Sequence, residues 1–142
     1  TDNVHPYNPF KHRHMPEIHG CVKILKGKDV SINFVPHLLP LTRGMLVSVF
    51  ATLKEDIDVN EILNNTYKDN EFVRIRNKPV DVKSVAGTNF CDLFVAKNGK
   101  ALFVSSAIDN LLRGASSQAV VNANILCGYE EYEGIPKIAY VP

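Results

Sequence analysis

Residues 91–108 read CDLFVAKNGKALFVSSAI, and their reading decides the fold class. Two arms rich in β-branched and aromatic residues flank Asn98-Gly99, the dipeptide that supplies positive φ to a type I′ turn, so the segment predicts a β-hairpin. Strands joined in this way run antiparallel, which argues against a doubly wound parallel sheet. Upstream, FVRIR at 72–76 predicts a short strand, NKPVDVKS at 77–84 an exposed connection, and MLVSVFATLK at 45–54 the strongest strand of the chain. Between them, DVNEILNN opens with Asp58 and carries Glu61 three residues on. That is the reciprocal pairing of a capping box, and it predicts a helix from Val59 to about Lys68.

Farther out, VSINFV at 30–35 alternates apolar and polar residues as a half-buried strand that Pro36 ends. The first ten residues predict an extended entry. Pro16, a residue type favoured in the first helical turn, starts a short helix that runs to about Lys26 and is stopped by Gly27. After the hairpin, DNLLRGASSQAVVNANILCG at 109–128 places Ala115, Ala119, Val120, Ala123, Ile125 and Leu126 on a helical period with Gly128 as the stop. The last fourteen residues predict an extended tail. The order helix, strand, strand, helix, strand, hairpin, helix predicts an α+β fold: an antiparallel or mixed sheet covered by helices on one face, with the other face open to another subunit or domain.

At 142 residues, with 45% hydrophobic and 22% charged residues, the chain has the size and composition of one soluble globular domain. No apolar run approaches the roughly 20 residues that cross a bilayer, so no membrane partner is expected. Sixteen Lys and Arg against fifteen Asp and Glu give a formal charge of +1, and the basic residues are scattered, so no nucleic-acid footprint is expected either. The three cysteines, Cys21, Cys91 and Cys127, are odd in number and fit no CxxC pattern. They predict free thiols and a reducing compartment, the cytosol. Thr1 stands where Met would open a chain, which suggests processing or an excised piece.

Protonatable groups crowd into HRHMPEIHG at 12–20. His14 and Glu17 are three apart, on one face of a first helical turn, where a carboxylate can fix an imidazole's tautomer and leave its other nitrogen to move a proton. A metal site is a second reading, with His12, His14, His19 and His37 as ligands, although Arg13 beside them opposes a cation and suits an anion. A solvated, histidine-rich helix start is the third. In PHLLPLTRG at 36–44, Arg43 sits between prolines and a glycine, a rigid mount for a guanidinium that forks onto carboxylate or phosphate, or a plain surface arginine at a turn. GASSQAV at 114–120 offers small residues at a helix start but is not a GxGxxG loop. Cys91 and Cys127 read as buried, unactivated thiols, and Cys21 ranks low as a nucleophile.

Taken together, HRHMPEI, FVPHLLPLTRGML, GTNFCDL and SSAIDNLLRGASSQAVVN, in this order and spacing, resemble the C-terminal part of the N-acetyl-gamma-glutamyl-phosphate reductases, relatives of the semialdehyde dehydrogenases. The resemblance implies a glyceraldehyde-3-phosphate dehydrogenase-like C-terminal domain and NADPH-dependent reduction of an acyl phosphate through a cysteine thioester, in arginine biosynthesis. It implies that residues 1–112 are a catalytic and dimerisation domain and 113–142 a helix and tail that pack on an N-terminal nucleotide-binding domain. The nucleophilic cysteine and the Gly-rich loop of that domain do not occur in this chain, so the piece is expected to be inactive alone and to form a homodimer or tetramer. By resemblance His14 and Glu17 are catalytic, His12, Arg13 and Arg43 bind substrate, and Asn110, Gly114 and Ala115 face NADP, with no metal. Ser117 and Val121 depart from the commoner GASGQAVQN, which places fine cofactor contacts in doubt. A non-catalytic assembly module and, behind it, a metal-dependent hydrolase using the histidines are the alternative functions.

Overall fold

The computed structural model describes residues 2–139, and the chain divides into two compact units between Thr42 and Arg43. The first unit holds strand β1 (His5–Pro6), helix α1 (Met15–Lys26) and strand β2 (His37–Leu38). β1 and β2 pair antiparallel, His5 opposite Leu38 and Pro6 opposite His37. Helix α1 starts where expected, with Pro16 in its first turn, and ends at Gly27, whose φ of +67° and N–H bond to the Lys23 carbonyl (2.8 Å) make a left-handed cap. The strand expected at 30–35 does not form. Its alternation sorts side chains between two faces but supplies no ladder: within it, among the described residues, only the Phe34 carbonyl is bonded across, by the Phe10 N–H at 3.3 Å, and the paired strand starts after Pro36, a residue that can accept but not donate. The Tyr7 N–H uses that acceptor, bonding the Pro36 carbonyl at 2.8 Å.

The second unit carries β3 (Met45–Thr52), α2 (Val59–Tyr67), β4 (Val73–Ile75), β5 (Cys91–Asn98), β6 (Ala101–Ile108), a π-helical turn (Leu112–Ser116) and α3 (Ser117–Cys127). Its sheet has the order β3-β6-β5-β4, with β3/β6 and β5/β6 antiparallel and β4/β5 parallel. The fold is therefore α+β with a mixed sheet, as the hairpin required. The hairpin turn itself is displaced by one residue. Asn98 pairs with Ala101, so Gly99 and Lys100 form the loop, and only Gly99 has positive φ (+56°). That is the type II′ arrangement, with glycine at the first central position, where an amide side chain at 98 is not required.

Alternation along the paired strands sorts the sheet into two faces. Val47, Val49, Leu93, Val95, Val104 and Ile75 share one. The segment leading into helix α2 is moored there by Lys97, which pairs with Asp56 and donates to the Ile57 carbonyl at 3.0 Å. The other face carries Phe50, Phe94 and Phe103, with ring centroids 5.2 Å (Phe50 to Phe103) and 6.5 Å (Phe94 to Phe103) apart. On the same face Asp92, buried, takes a forked pair of bonds from Arg74 (2.5 and 3.0 Å), which ties β4 to β5. Edge strand β3 is open on both faces: Met45, Leu46 and Val49 are exposed and Phe50 is 80% exposed.

The apolar core joins Phe72 before β4, Val121 of α3 and Ile135, with Phe90 against it. The extended tail expected after Gly128 is thus overturned, because buried Ile135 must reach this core and the chain folds back through turns to do so. Asn124, buried on α3, secures the return by donating to the carbonyls of Glu131 (3.2 Å) and Glu133 (2.9 Å). Of the capping box predicted for helix α2, one half forms, the Asp58 carboxylate accepting from the Glu61 N–H at 3.0 Å, and the return bond from the Asp58 N–H to the Glu61 side chain is not made. No helix of the described residues is long and apolar enough to cross a membrane.

Candidate functional site

The sequence-predicted residues fall into two clusters, one in each unit. In the first unit, Tyr7, Asn8, Lys11, His12, Arg13 and His14 line a pocket of about 490 Å³. Two left-handed residues fold the chain around it, Asn8 (φ +45°) and Phe10 (φ +57°). Asparagine tolerates this conformation; phenylalanine does so at a cost of about 1–3 kcal/mol, a strain that concentrates at functional sites. Lys11 and Arg13 give the pocket positive charge, and no acidic side chain lines it.

The histidines meet directly. The rings of His12 and His14 lie 4.8 Å apart, edge to face, and the His14 backbone N–H donates to Nδ1 of His12 at 3.2 Å. An Nδ1 that accepts cannot carry hydrogen, so His12 in its neutral form is the Nε2–H tautomer. Its half-buried ring is held edge-on between Tyr7 and Phe34, each 5.5 Å away. His14 is exposed at the N-cap of α1, and its ring makes no hydrogen bond among the described residues. Glu17 lies in the first helical turn, but the hydrogen bond expected between it and His14 is not formed. Spacing brings their Cβ atoms to one face; the ring has turned to His12 instead. His19 sits on α1 and His37 on β2, and no group of three or more His, Cys, Asp or Glu able to hold a metal occurs among the described residues.

In the second unit, Arg43 bonds the chain neighbour of Asn110, a residue that the sequence reading passed over, Asp109. Its side chain is 0% exposed. One carboxylate oxygen accepts from Arg43 Nη1 (3.1 Å) and the Gly87 N–H (2.8 Å), the other from the N–H groups of Leu111 (2.8 Å) and Leu112 (3.0 Å). Burial alone would raise its carboxyl, but these bonds overcome it and hold the group below the usual carboxylate range. The Asn110 side-chain oxygen accepts from the Gly44 N–H at 2.7 Å, which leaves its NH₂ with no partner among the described residues. The signal was present: an aspartate between a strand and a helical turn is an N-cap pattern.

Gly114 and Ala115 lie exposed on the π-helical turn, and the Gly114 N–H bonds the Asp109 carbonyl at 3.0 Å. Such wide turns recur at functional sites. Of the two departures, Val121 is a core residue and Ser117 is buried, so both face the protein. All three cysteines are free; Cys127, expected to be buried, is instead exposed at the last residue of α3, while Cys91 is half-buried, and desolvation, then the charge of Asp92, pushes its thiol up, away from a nucleophile's range.

Residues 1–110 match the family described as semialdehyde dehydrogenase, dimerisation domain. The whole chain is 62% identical to an N-acetyl-gamma-glutamyl-phosphate reductase of Sulfurovum sp. over 142 residues, and 52% identical to that of Wolinella succinogenes over 142 residues. A reductase of the same name from Methanococcus vannielii is 45% identical over 95% of the chain. The chain spans 42% of the length of the first two relatives and 41% of the third.

Proposed function

Because the chain belongs to the semialdehyde dehydrogenase dimerisation-domain family, we propose that it is the proton-transfer and subunit-assembly part of a larger cytoplasmic reductase. That enzyme converts N-acetyl-glutamyl phosphate to the semialdehyde, with NADPH as reductant, in arginine biosynthesis. The observation that carries the reading is the pair of histidines 4.8 Å apart in a pocket lined by Lys11 and Arg13. Adjacent cations draw an anionic acyl phosphate, while an imidazole, which titrates near pH 6.5, can both take and return a proton near neutrality.

In this reading a cysteine in the rest of the enzyme loses its proton to His14 and displaces phosphate from the substrate carbon. After reduction of the resulting thioester, the proton returns to the substrate oxygen of the hemithioacetal, whose collapse breaks the C–S bond, releases the aldehyde and restores the cysteine thiol. Glu17, unpaired among the described residues, is the acceptor next in the helical turn for the imidazolium formed meanwhile. His12, its tautomer set by the His14 amide, presents Nε2–H as a donor on the substrate side beside Arg13. Arg43 holds a substrate carboxylate or the phosphate, where orientation is worth several kcal/mol. When bound, the nicotinamide supplies hydride. The free NH₂ of Asn110 suits its carboxamide, and the exposed Gly114–Ala115 turn lets it approach. Residues 113–142 then pack on the nucleotide-binding domain, and exposed edge strand β3, led by Phe50, is the assembly surface of a homodimer or tetramer.

The test is a chimera in which this chain replaces the matching part of the Sulfurovum reductase. NADPH oxidation dependent on N-acetyl-glutamyl phosphate is expected; a folded chimera with no turnover overturns the reading.

A further inference from the structure

Asp109 is more than one half of an ion pair. Three separate stretches of the second unit reach it: the start of β3 through Arg43, the 81–90 segment through Gly87, and the turn after β6 through Leu111 and Leu112. Its two oxygens divide the work. Oδ2 faces Arg43 and Gly87, whereas Oδ1 faces the turn, and the backbone carbonyl of the same residue accepts from Gly114. A second bond runs parallel to the ion pair, from the Gly44 N–H to the Asn110 side chain. The dipeptides Arg43-Gly44 and Asp109-Asn110 are thereby fastened twice. An apolar side chain of similar volume would leave the Gly87, Leu111 and Leu112 amides unsatisfied, so packing alone does not account for a carboxylate here. Arg43, in contrast, is 35% exposed in its side chain and commits only Nη1. Its Nε and Nη2 donors have no partner among the described residues and remain for an anion.

We propose that Asp109 is a positioning residue: one buried carboxylate fixes the Arg43 guanidinium with one oxygen and the turn bearing Asn110, Gly114 and Ala115 with the other, so that a carboxylate ligand on Arg43 is registered against the cofactor-facing turn. The proposal rests on the reading of Arg43 and of that turn given above. It makes the substrate arginine and the cofactor turn one mechanical element, and an anion arriving at Arg43 is felt at Gly114 through Asp109.

The test uses the 142-residue chain, ¹⁵N-labelled, with N-acetyl-L-glutamate as the probe. In the unsubstituted chain the Arg43 guanidinium gives separate, slowly averaging Nη resonances, and the probe shifts both Arg43 and the Gly114 and Ala115 amides. In Asp109→Asn, with the β5–β6 amides unmoved, the guanidinium averages, affinity falls about tenfold or more, the size expected for a lost charge-assisted bond, and Gly114 and Ala115 no longer respond. Adding Asp109→Asn to Arg43→Ala weakens binding no further. Unchanged affinity and response in folded Asp109→Asn overturn the proposal. So does a freely averaging guanidinium in the unsubstituted chain, a measurement that needs no variant to fold. A restrained guanidinium that Asp109→Asn releases, in a chain that binds no probe, removes Arg43 from substrate binding but leaves the positioning by Asp109 standing.

Discussion

Replacing Gly44 with alanine should be among the most damaging single-methyl changes available to this chain, for two separable reasons. The residue has φ of +113°, outside the regions open to L side chains, and holding alanine there costs about 1–3 kcal/mol. A Cβ at this position would also stand 2.6 Å from the Cβ of Val82 and 3.0 Å from its Cγ1. Overpacking of this kind costs about 1–3 kcal/mol more. The sum, about 2–6 kcal/mol, is a large part of the 5–15 kcal/mol typical of a whole domain. Because the clash is with Cβ, Val82→Ala should not rescue Gly44→Ala, whereas Val82→Gly should recover the steric part and leave the φ part. Urea unfolding of the three single variants (Gly44→Ala, Val82→Ala and Val82→Gly) and both double variants, followed by circular dichroism, gives the five numbers. A loss below about 1 kcal/mol for Gly44→Ala, the scale of an ordinary surface change, or full rescue by Val82→Ala, would refute the reasoning. The site consequence is direct, since any shift of Gly44 pulls on its 2.7 Å bond to Asn110 and on neighbouring Arg43.

Asp58→Ala should cost about 1 kcal/mol in the same assay, by loss of the N-cap bond to Glu61. Asp109 has its folded-state carboxyl lowered, so its stabilisation is present above the unfolded value near 3.8 and is lost as pH falls through the folded one. Asp109→Asn should flatten the acid limb of stability below about pH 4, without abolishing it, because Asp81, held by Ser84, is lowered too. Iodoacetamide should label exposed Cys21 and Cys127 in the folded protein and Cys91 only after unfolding, as mapped by mass spectrometry. Phe50→Asp should leave monomer stability within about 0.5 kcal/mol, since the ring is 80% exposed, yet reduce self-association in sedimentation.

Local signals were legible in the sequence where the physics is local. The Asp58–Glu61 cap closes within one helical turn, and the Gly27 stop of α1 needs only its own left-handed φ. The hairpin was readable as an element but not in its turn, because Asn98-Gly99 marks a bend without saying which two residues occupy its centre; pairing of Asn98 with Ala101 decides that. Strand β2 was missed since its two residues pair with β1, about thirty residues back, and alternation in 30–35 carries no information about partners. The tail was misread because Ile135 gains its place from Phe72 and Val121, contacts remote in sequence.

The site shows the same division. Clustering of His12, Arg13 and His14 was visible by adjacency, and the pocket contains all three. The His14–Glu17 bond was inferred from Cβ spacing, which does not set χ angles, and His12 captured the ring. Asp109 escaped notice because its importance lies in Arg43, sixty-six residues away, and Gly87, twenty-two away. Of the residues carried over by resemblance, Arg43 and Gly114 bond to Asp109, and Asn110, its chain neighbour, bonds to Gly44 beside Arg43.

The most direct test of the central claim is the pH-dependent kcat of the Sulfurovum chimera with and without His14→Ala. An imidazole acting as proton carrier predicts a fall of about 10²–10⁴ in kcat and loss of the ionisation it contributes to the pH profile, with protein stability retained. Wild-type kcat and an unaltered profile in a folded His14→Ala chimera would contradict it.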